Sequence, residues 1–277
     1  MKNTKIFLLF ICCTLWGSGL FAQDTKFGVR LGVGLPDLES RDNNIFSSGF
    51  NSVAGFDGGV FLDYGITENF SLKFEVAFAR KGGERDGLQP IPNSLLDPAL
   101  SAITQGQTVY ASFENTAVFS YITVPILAKY EWHLGSKWGV YVNGGVYADF
   151  IINPTQQTSG TSQLFYDANG TVPVQIPANP QDPPQDWILV DLPAQDFNTD
   201  NDINDDISDM DFGFMLGVGA SYALNSKHEI IADIRGSYGL IPLQKDTDTY
   251  GDVHMGSLVF SLGYAYTFDK KNKKKDD

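Results

Sequence analysis

After residue 25 the dominant pattern along the chain is an alternation of apolar and polar residues with a period of two. That period belongs to half-buried β-strands. In KFGVRLGVGLP, Phe27, Val29, Leu31, Val33 and Leu35 share one face, and Gly28, Arg30, Gly32 and Gly34 share the other. VAGFDGGVFLDYG sets Phe56, Val60, Leu62 and Tyr64 against Asp57, Gly59, Phe61 and Asp63. NFSLKFEVAFARKGG sets Phe70, Leu72, Phe74, Val76 and Phe78 against Ser71, Lys73, Glu75, Ala77 and Ala79. SYITVPILAKYEW, KWGVYVNGGVYADF, DFGFMLGVGASYAL, HEIIADIRGSYGL and GSLVFSLGYAYTF repeat the pattern. Their polar faces carry Lys129 and Glu131, then Tyr141, Asn143 and Asp149, then Asp233 and Arg235.

Eight amphipathic strands follow from this pattern. Short connections near 65–69, 131–136 and 224–227 alternate with long ones near 37–52, 82–115, 152–210 and 242–253. Short turns at one end and long loops at the other predict an all-β fold: an eight-stranded antiparallel up-and-down transmembrane β-barrel with long extracellular loops. An even strand count leaves both termini at the short-turn, periplasmic end. Aromatics gather at strand ends (Tyr64, Phe70, Tyr130, Trp132, Trp138, Tyr222, Phe268), where a membrane interface favours them. A soluble sandwich or lipocalin-like barrel also alternates. It would show its charged face to water and bury the apolar one. Here charge sits on one face of most strands, and a large apolar face is left to look outward.

The termini change the picture in one respect. Lys2 and Lys5 precede the apolar run IFLLFICCTLWGSGLFA, and a small residue stands at Ala22. This predicts a signal peptide over 1–22, too short for a membrane span. Both cysteines, Cys12 and Cys13, fall in it, so the barrel of 23–268 has no disulfide or thiolate metal site. The formal charge is -14; without Lys2 and Lys5, 33 acids face 17 bases, or -16. Such a chain repels nucleic acid. Residues 269–277 form a basic tail, DKKNKKKDD, expected in the periplasm with weak attraction to anionic headgroups.

Several stretches together resemble the PorT-type outer-membrane β-barrel family of Bacteroidetes. They are FGVRLGVGLPDL, FSLKFEVAFARKGG, YITVPILAKYEW, GVYVNGGVYADF, MDFGFMLGVGASY and SLGYAYTF. The most specific is aromatic-x-x-x-Pro-x-x-x-Lys-Tyr, here Tyr121, Pro125, Lys129 and Tyr130; Lys81-Gly82-Gly83 is the second. The resemblance implies an eight-stranded barrel in the cell outer membrane. The family's named member is associated with type IX secretion and gliding. The GYAYTF ending resembles the terminal strand that the barrel-assembly machinery reads during insertion.

Eight strands enclose a space just wide enough for side chains. A diffusion pore is therefore not expected. Arg30, Asp57, Asp63, Lys73, Glu75, Lys129, Glu131, Asp149, Asp233 and Arg235 are expected to form a lumen charge network, because buried ions must pair. The sharper alternative is a gated proton or ion path. Pro125 lacks a ladder donor, and the resemblance suggests a bulge or local break there. The glycines of LGVGLP and GVGAS lack the strand–helix setting of a phosphate loop and suit a tight inner wall.

An enzyme is the weaker reading. Of three histidines, His133 and His228 fall at periplasmic turns, and His254 alone nears the outer end as a surface residue beside Asp252 and Ser257. There is no GxSxG and no HExxH. A lipid-modifying outer-membrane enzyme thus remains as an alternative only. The main expectation is a structural or interaction role through extracellular loops, with an accessory role in type IX secretion or gliding as the other alternative. Expected partners are outer-membrane lipid and lipopolysaccharide, the barrel-assembly machinery and, on the alternative, secretion-system proteins.

Residues 152–210 hold ten aspartates, seven prolines and no Lys or Arg, which predicts a mobile, partly disordered loop. Within them DWILVDL is a short apolar patch suited to a strand extension or partner contact. Calcium is the one cofactor that the sequence suggests. DNDINDDISDMD places Asp200, Asp202, Asn204 and Asp206 at the first four ligand positions of a twelve-residue calcium loop, with Asp211 at the last. Asp205 stands where the glycine belongs, and no helices flank the segment.

Overall fold

The computed structural model describes residues 25–40, 44–93, 96–179, 181 and 184–268. The expected signal peptide and basic tail lie outside the described residues. Eight long strands occupy the alternating stretches: β1 (Thr25–Ser40), β2 (Gly55–Gly65), β3 (Phe70–Arg85), β4 (Glu114–Leu134), β5 (Trp138–Ser159), β6 (Met210–Ala223), β7 (His228–Gly239) and β8 (Val253–Phe268). Each pairs antiparallel with its successor. β8 then pairs with β1, from Thr25↔Phe268 to Ser40↔Val253, and the ring closes. Closure leaves no long sheet edge unpaired, which is the condition for a sheet to sit in hydrocarbon.

The alternation is turned inside out relative to a soluble barrel. Val29, Leu31, Val33, Val142, Val218, Ile234, Phe260 and Leu262 are exposed, while their polar neighbours Arg30, Asn143, Asp233 and Arg235 are buried. At the short-turn end aromatic rings pair off: Tyr130 with Trp132 at 4.9 Å, Trp138 with Tyr222 at 4.8 Å and Tyr266 with Phe268 at 5.3 Å between centroids. The turns there are closed by local chemistry. Thr67 Oγ1 accepts from the Asn69 and Phe70 N–H groups, and Asn225 Oδ1 accepts from those of Lys227 and His228.

Of the two outcomes expected at Pro125, a bulge or a local break, the wall shows the break. The β3–β4 ladder skips Glu75 and Val76, opposite Pro125 and Val124, yet keeps one register on both sides of the gap. A missing N–H removes a bond there without adding a residue. The register shift lies further along, where β4 meets β5 between Val118 and Ser120. There Asn153 takes a positive φ of 49° immediately before Pro154.

The interior is tight enough that side-chain size matters at single positions. A Cβ on Gly219 would run into the Tyr141 ring, and one on Gly28 into the Phe61 ring. Gly219→Leu is therefore expected to destabilise the barrel by about 1–3 kcal/mol through overpacking. The midpoint of urea unfolding in micelles checks it; an unchanged midpoint would mean that Tyr141 can swing aside.

The long connections are where the structure departs most from expectation. Residues 152–159 continue β5, and Thr199–Asp202 pairs beside them as an added strand. Ile207 and Leu243 then pack on Ala79, Ala117, Phe119, Tyr121 and Met255, with Ile203 alongside, and cap one end of the ring. The Ser208 N–H donates to Leu243 O, and the Lys245 N–H to Asp206 O, which locks 203–209 to 243–245. A second cluster joins the connection 86–113 to 160–198 through Ile91, Val109, Ala111, Leu164, Val174 and Leu192. Phe113 and Phe197 stack at 4.8 Å across it. A helix α1 (Pro98–Thr104) stands on Asp97, whose side chain accepts from the Ala99 and Leu100 N–H groups. The predicted disordered loop is thus built from strands around a core. Its apolar residues are too few for a core alone and suffice once the 86–113 connection contributes its own.

Candidate functional site

The ten charged residues expected inside the ring are all buried. They form two successive layers along the axis and part of a third. Nearest the short turns, Lys129 Nζ lies 2.8 Å from Glu131 and 3.1 Å from Asp63. Lys26 Nζ lies 2.7 Å from Glu229. The Ser221 hydroxyl donates to Glu131 at 2.5 Å. Parity places each of these groups on the inner face, since β-strand side chains alternate.

The middle layer is centred on Glu75. One carboxylate oxygen takes Arg30 at 2.5 Å and the other takes Arg235 at 2.9 Å. Arg30 also pairs with Asp57, and Arg235 with Asp233. Asp233 accepts from the Tyr141 hydroxyl at 2.6 Å and from Asn143 at 3.2 Å. Lys73 lies 3.9 Å from Glu75 and the same distance from the Phe61 ring centroid. Glu75, Arg30 and Arg235 come from β3, β1 and β7, so the layer ties non-neighbouring strands across the lumen.

The third layer lies beneath the apolar cap. Lys81 Nζ reaches Asp149 at 2.8 Å and sits 4.5 Å from the Tyr121 ring centroid. Asp211 accepts from the Leu240 and Ile241 N–H groups at 3.2 and 2.9 Å. Between the second and third layers a cavity lined by Arg30, Asp57, Thr123 and Asp149 has only about 10 Å³ of free space. That is close to the minimum for a single water.

Lys26, Lys81, Asp211 and Glu229 belong to this network and were not among the residues expected in it. Lys26, Asp211 and Glu229 are each second in their strands, Lys81 lies within β3, and all four share the inward parity of their neighbours. The structure does not bring the candidate calcium residues together around one point. Asp200 and Asp202 lie on the added strand beside β5, and Asp200 accepts from Gln157. Asp202 accepts from Asn204, and the Lys245 ammonium donates to the Asn204 backbone oxygen. Asp206 is exposed, whereas Asp211 turns into the lumen. Strand pairing holds Asp200 and Asp202 in extended backbone, while Asn204 and Asp206 lie in the turn that follows. Among the described residues no group of three or more His, Cys, Asp or Glu side chains is placed to hold a metal.

His254 is corrected. It is buried, not on the surface, at 2 % exposure. Its Nε2 lies 2.8 Å from Asp252 and its Nδ1 lies 3.0 Å from Gly239 O, with the Tyr238 ring stacked at 5.8 Å. Ser257 hydrogen-bonds Ser237 at 2.7 Å. His228 meets Tyr264 at the opposite end. Outside the membrane-crossing strands, Asp246 is held below the ordinary carboxylate range by the side chain and N–H of Thr249. Its capping contribution to the short helix after it is present above pH 3.8 and fades as pH falls below that value.

A closed antiparallel ring that is apolar outside and ionic inside defines the class of outer-membrane β-barrels. The chain belongs to the outer membrane protein beta-barrel domain family, whose model matches residues 21–245. The protein accordingly resides in the outer membrane. No curated protein matches the chain. Among solved structures it is similar to Neisserial surface protein A, at 14% identity and TM-score 0.38, covering 87% of this chain and 97% of that one. OprG of Pseudomonas aeruginosa is similar at 12% identity and TM-score 0.37, covering 88% and 95%. A major outer membrane protein of Thermus thermophilus is similar at 15% identity and TM-score 0.36, covering 88% and 99%.

Proposed function

We propose that the protein is a closed outer-membrane barrel that works as a structural or interaction module through its long connections, which face the cell exterior. The observation that carries this is the double obstruction of the lumen. Three ionic layers fill it, and Ile203, Ile207 and Leu243 cap the end where the long connections gather. A filled lumen suits display better than transport. The surrounding partners would be membrane lipid and lipopolysaccharide, with the barrel-assembly machinery acting during insertion. Reconstituted into planar bilayers, the protein is expected to give no stable open-pore conductance in moderate salt. Steady ohmic steps from the purified barrel would sink the closed reading.

A second reading has one observation in its favour. The two stretches most like the PorT-type family meet in space, Lys81 of one lying 4.5 Å from the Tyr121 ring centroid of the other. On that reading the protein is an accessory of type IX secretion or gliding. A deletion strain with normal secretion and normal gliding would remove it. A lipid-modifying role has less to stand on, because His254 is enclosed and Ser257 faces Ser237 instead. Unaltered lipid A species in the same deletion strain are the expected result.

A further inference from the structure

The body formed by 86–113 and 160–198 does not bury all of its apolar residues. Ile188 is 74% exposed, and Leu189, Val190 and Val172 are exposed with it. Leu189–Asp191 is one half of a two-stranded ribbon whose other half is Gln175–Pro177. The ribbon's hydrogen bonds run through Ile188 O, which accepts from Ala178 N, and Leu192 N, which donates to Val174 O. Val190, paired with Ile176, lies on the same phase. By antiparallel alternation, the N–H and C=O groups of Leu189 and Asp191 point away from the ribbon. Leu189 lies on one face and Ile188 and Val190 on the other, so apolar side chains are open to solvent on both. A ribbon with one solvated face would alternate instead. An apolar edge of this kind is a template for strand addition.

Charge selects among the occupants. The two connections hold seven aspartates (Asp86, Asp97, Asp167, Asp182, Asp186, Asp191 and Asp196) and no Lys, Arg, His or Glu. Asp186 and Asp191 bracket the apolar run itself. A second copy would set the same carboxylates against each other, and phosphate headgroups would be repelled. A basic segment would be attracted, and electrostatic complementarity of this kind governs both choice of partner and speed of encounter.

We propose that Leu189–Asp191 is a docking edge for an extended segment of another protein, with apolar residues set between lysines or arginines. The inference rests on the exterior-facing reading above. The test uses the full chain refolded in micelles and two labelled peptides of alternating valine and threonine, one flanked by lysines and one by glutamates. The lysine-flanked peptide is expected to bind about tenfold more tightly or better, and less tightly as salt rises. Ile188→Asn and Val190→Asn, both at exposed positions, are expected to weaken it about tenfold. Leu189→Pro, which removes an outward N–H, is expected to abolish it. Equal binding of the two peptides, or binding unchanged in all three variants, overturns the proposal. So does a dimer that depends on Ile188, which would make a second copy the occupant. Ile188→Cys on intact cells separates the two levels. If a membrane-impermeant maleimide labels it only after permeabilisation, the exterior-facing reading fails. Labelling of intact cells without peptide binding removes the docking edge alone.

Discussion

Glu75→Leu is expected to destabilise the barrel by about 3–5 kcal/mol, the cost of breaking a buried ionic cluster by removing one partner. The Glu75 side chain is 0% exposed and holds Arg30 at 2.5 Å and Arg235 at 2.9 Å, with Lys73 at 3.9 Å. Its loss leaves three cations around one apolar side chain, with Asp57 and Asp233 as the remaining counter-ions for the arginines. Salt screens such a site little, so the loss should persist at high ionic strength. The contrast is Lys245–Asp209 at 3.4 Å, whose side chains are 45% and 88% exposed. Asp209→Asn there should cost no more than about 1 kcal/mol. Urea titration in micelles, followed by heat-dependent gel mobility, reads both. A Glu75→Leu loss below about 1 kcal/mol would mean that water enters the middle layer and stands in for the carboxylate. Combining Glu75→Leu with Arg235→Leu in a double-mutant cycle should return part of the loss, because the two sites share one network.

Val218→Arg is expected to cost about 2–4 kcal/mol when the protein is folded into lipid vesicles, the range for an arginine near the bilayer midplane. Val218 lies midway along β6, paired with Val142 and Ile234, and is 54% exposed. Val172 is 51% exposed, nearly the same, but lies on the 160–209 connection. Val172→Arg should change stability by less than about 0.5 kcal/mol, as surface substitutions in water usually do. Exposure figures alone cannot tell these sites apart; the solvent can. Vesicle-based unfolding of both variants measures the difference. Equal losses would contradict a hydrocarbon environment around Val218.

The barrel wall was legible because its signal is local. Strand alternation at Phe27–Leu35 or Phe70–Phe78 needs no knowledge of partners, and parity at once assigns Arg30, Glu75 and Arg235 to one side. Lys26, Lys81 and Glu229 follow the same parity but stand where strands were expected to end, and β3 and β4 run further than their patterns suggest. The cap was not legible. Ile203 and Ile207 are isolated apolar residues in an acidic stretch, and the Leu243 they meet arrives from a different connection. The 86–113 and 160–198 body hides for the same reason, since neither half has enough apolar residues to predict a core. Asp200, Asp202, Asn204 and Asp206 match a ligand spacing, but spacing does not fix backbone shape: the first two pair with β5 and the last two lie in the turn after it.

The cross-lumen ion pairs also set an order of events in assembly. Arg30–Glu75 joins β1 to β3, Lys26–Glu229 joins β1 to β7, and Arg235–Glu75 joins β7 to β3. None is a pair between adjacent strands. Pairing of β1 with β8 brings together residues separated by nearly the whole described chain, from Thr25 to Phe268, so it must wait for the last strand. Arg30–Glu75 needs only the first three strands, whereas Lys26–Glu229 spans β8 between β7 and β1. That last pair lies across the seam, so it acts as a latch on the closure of the ring.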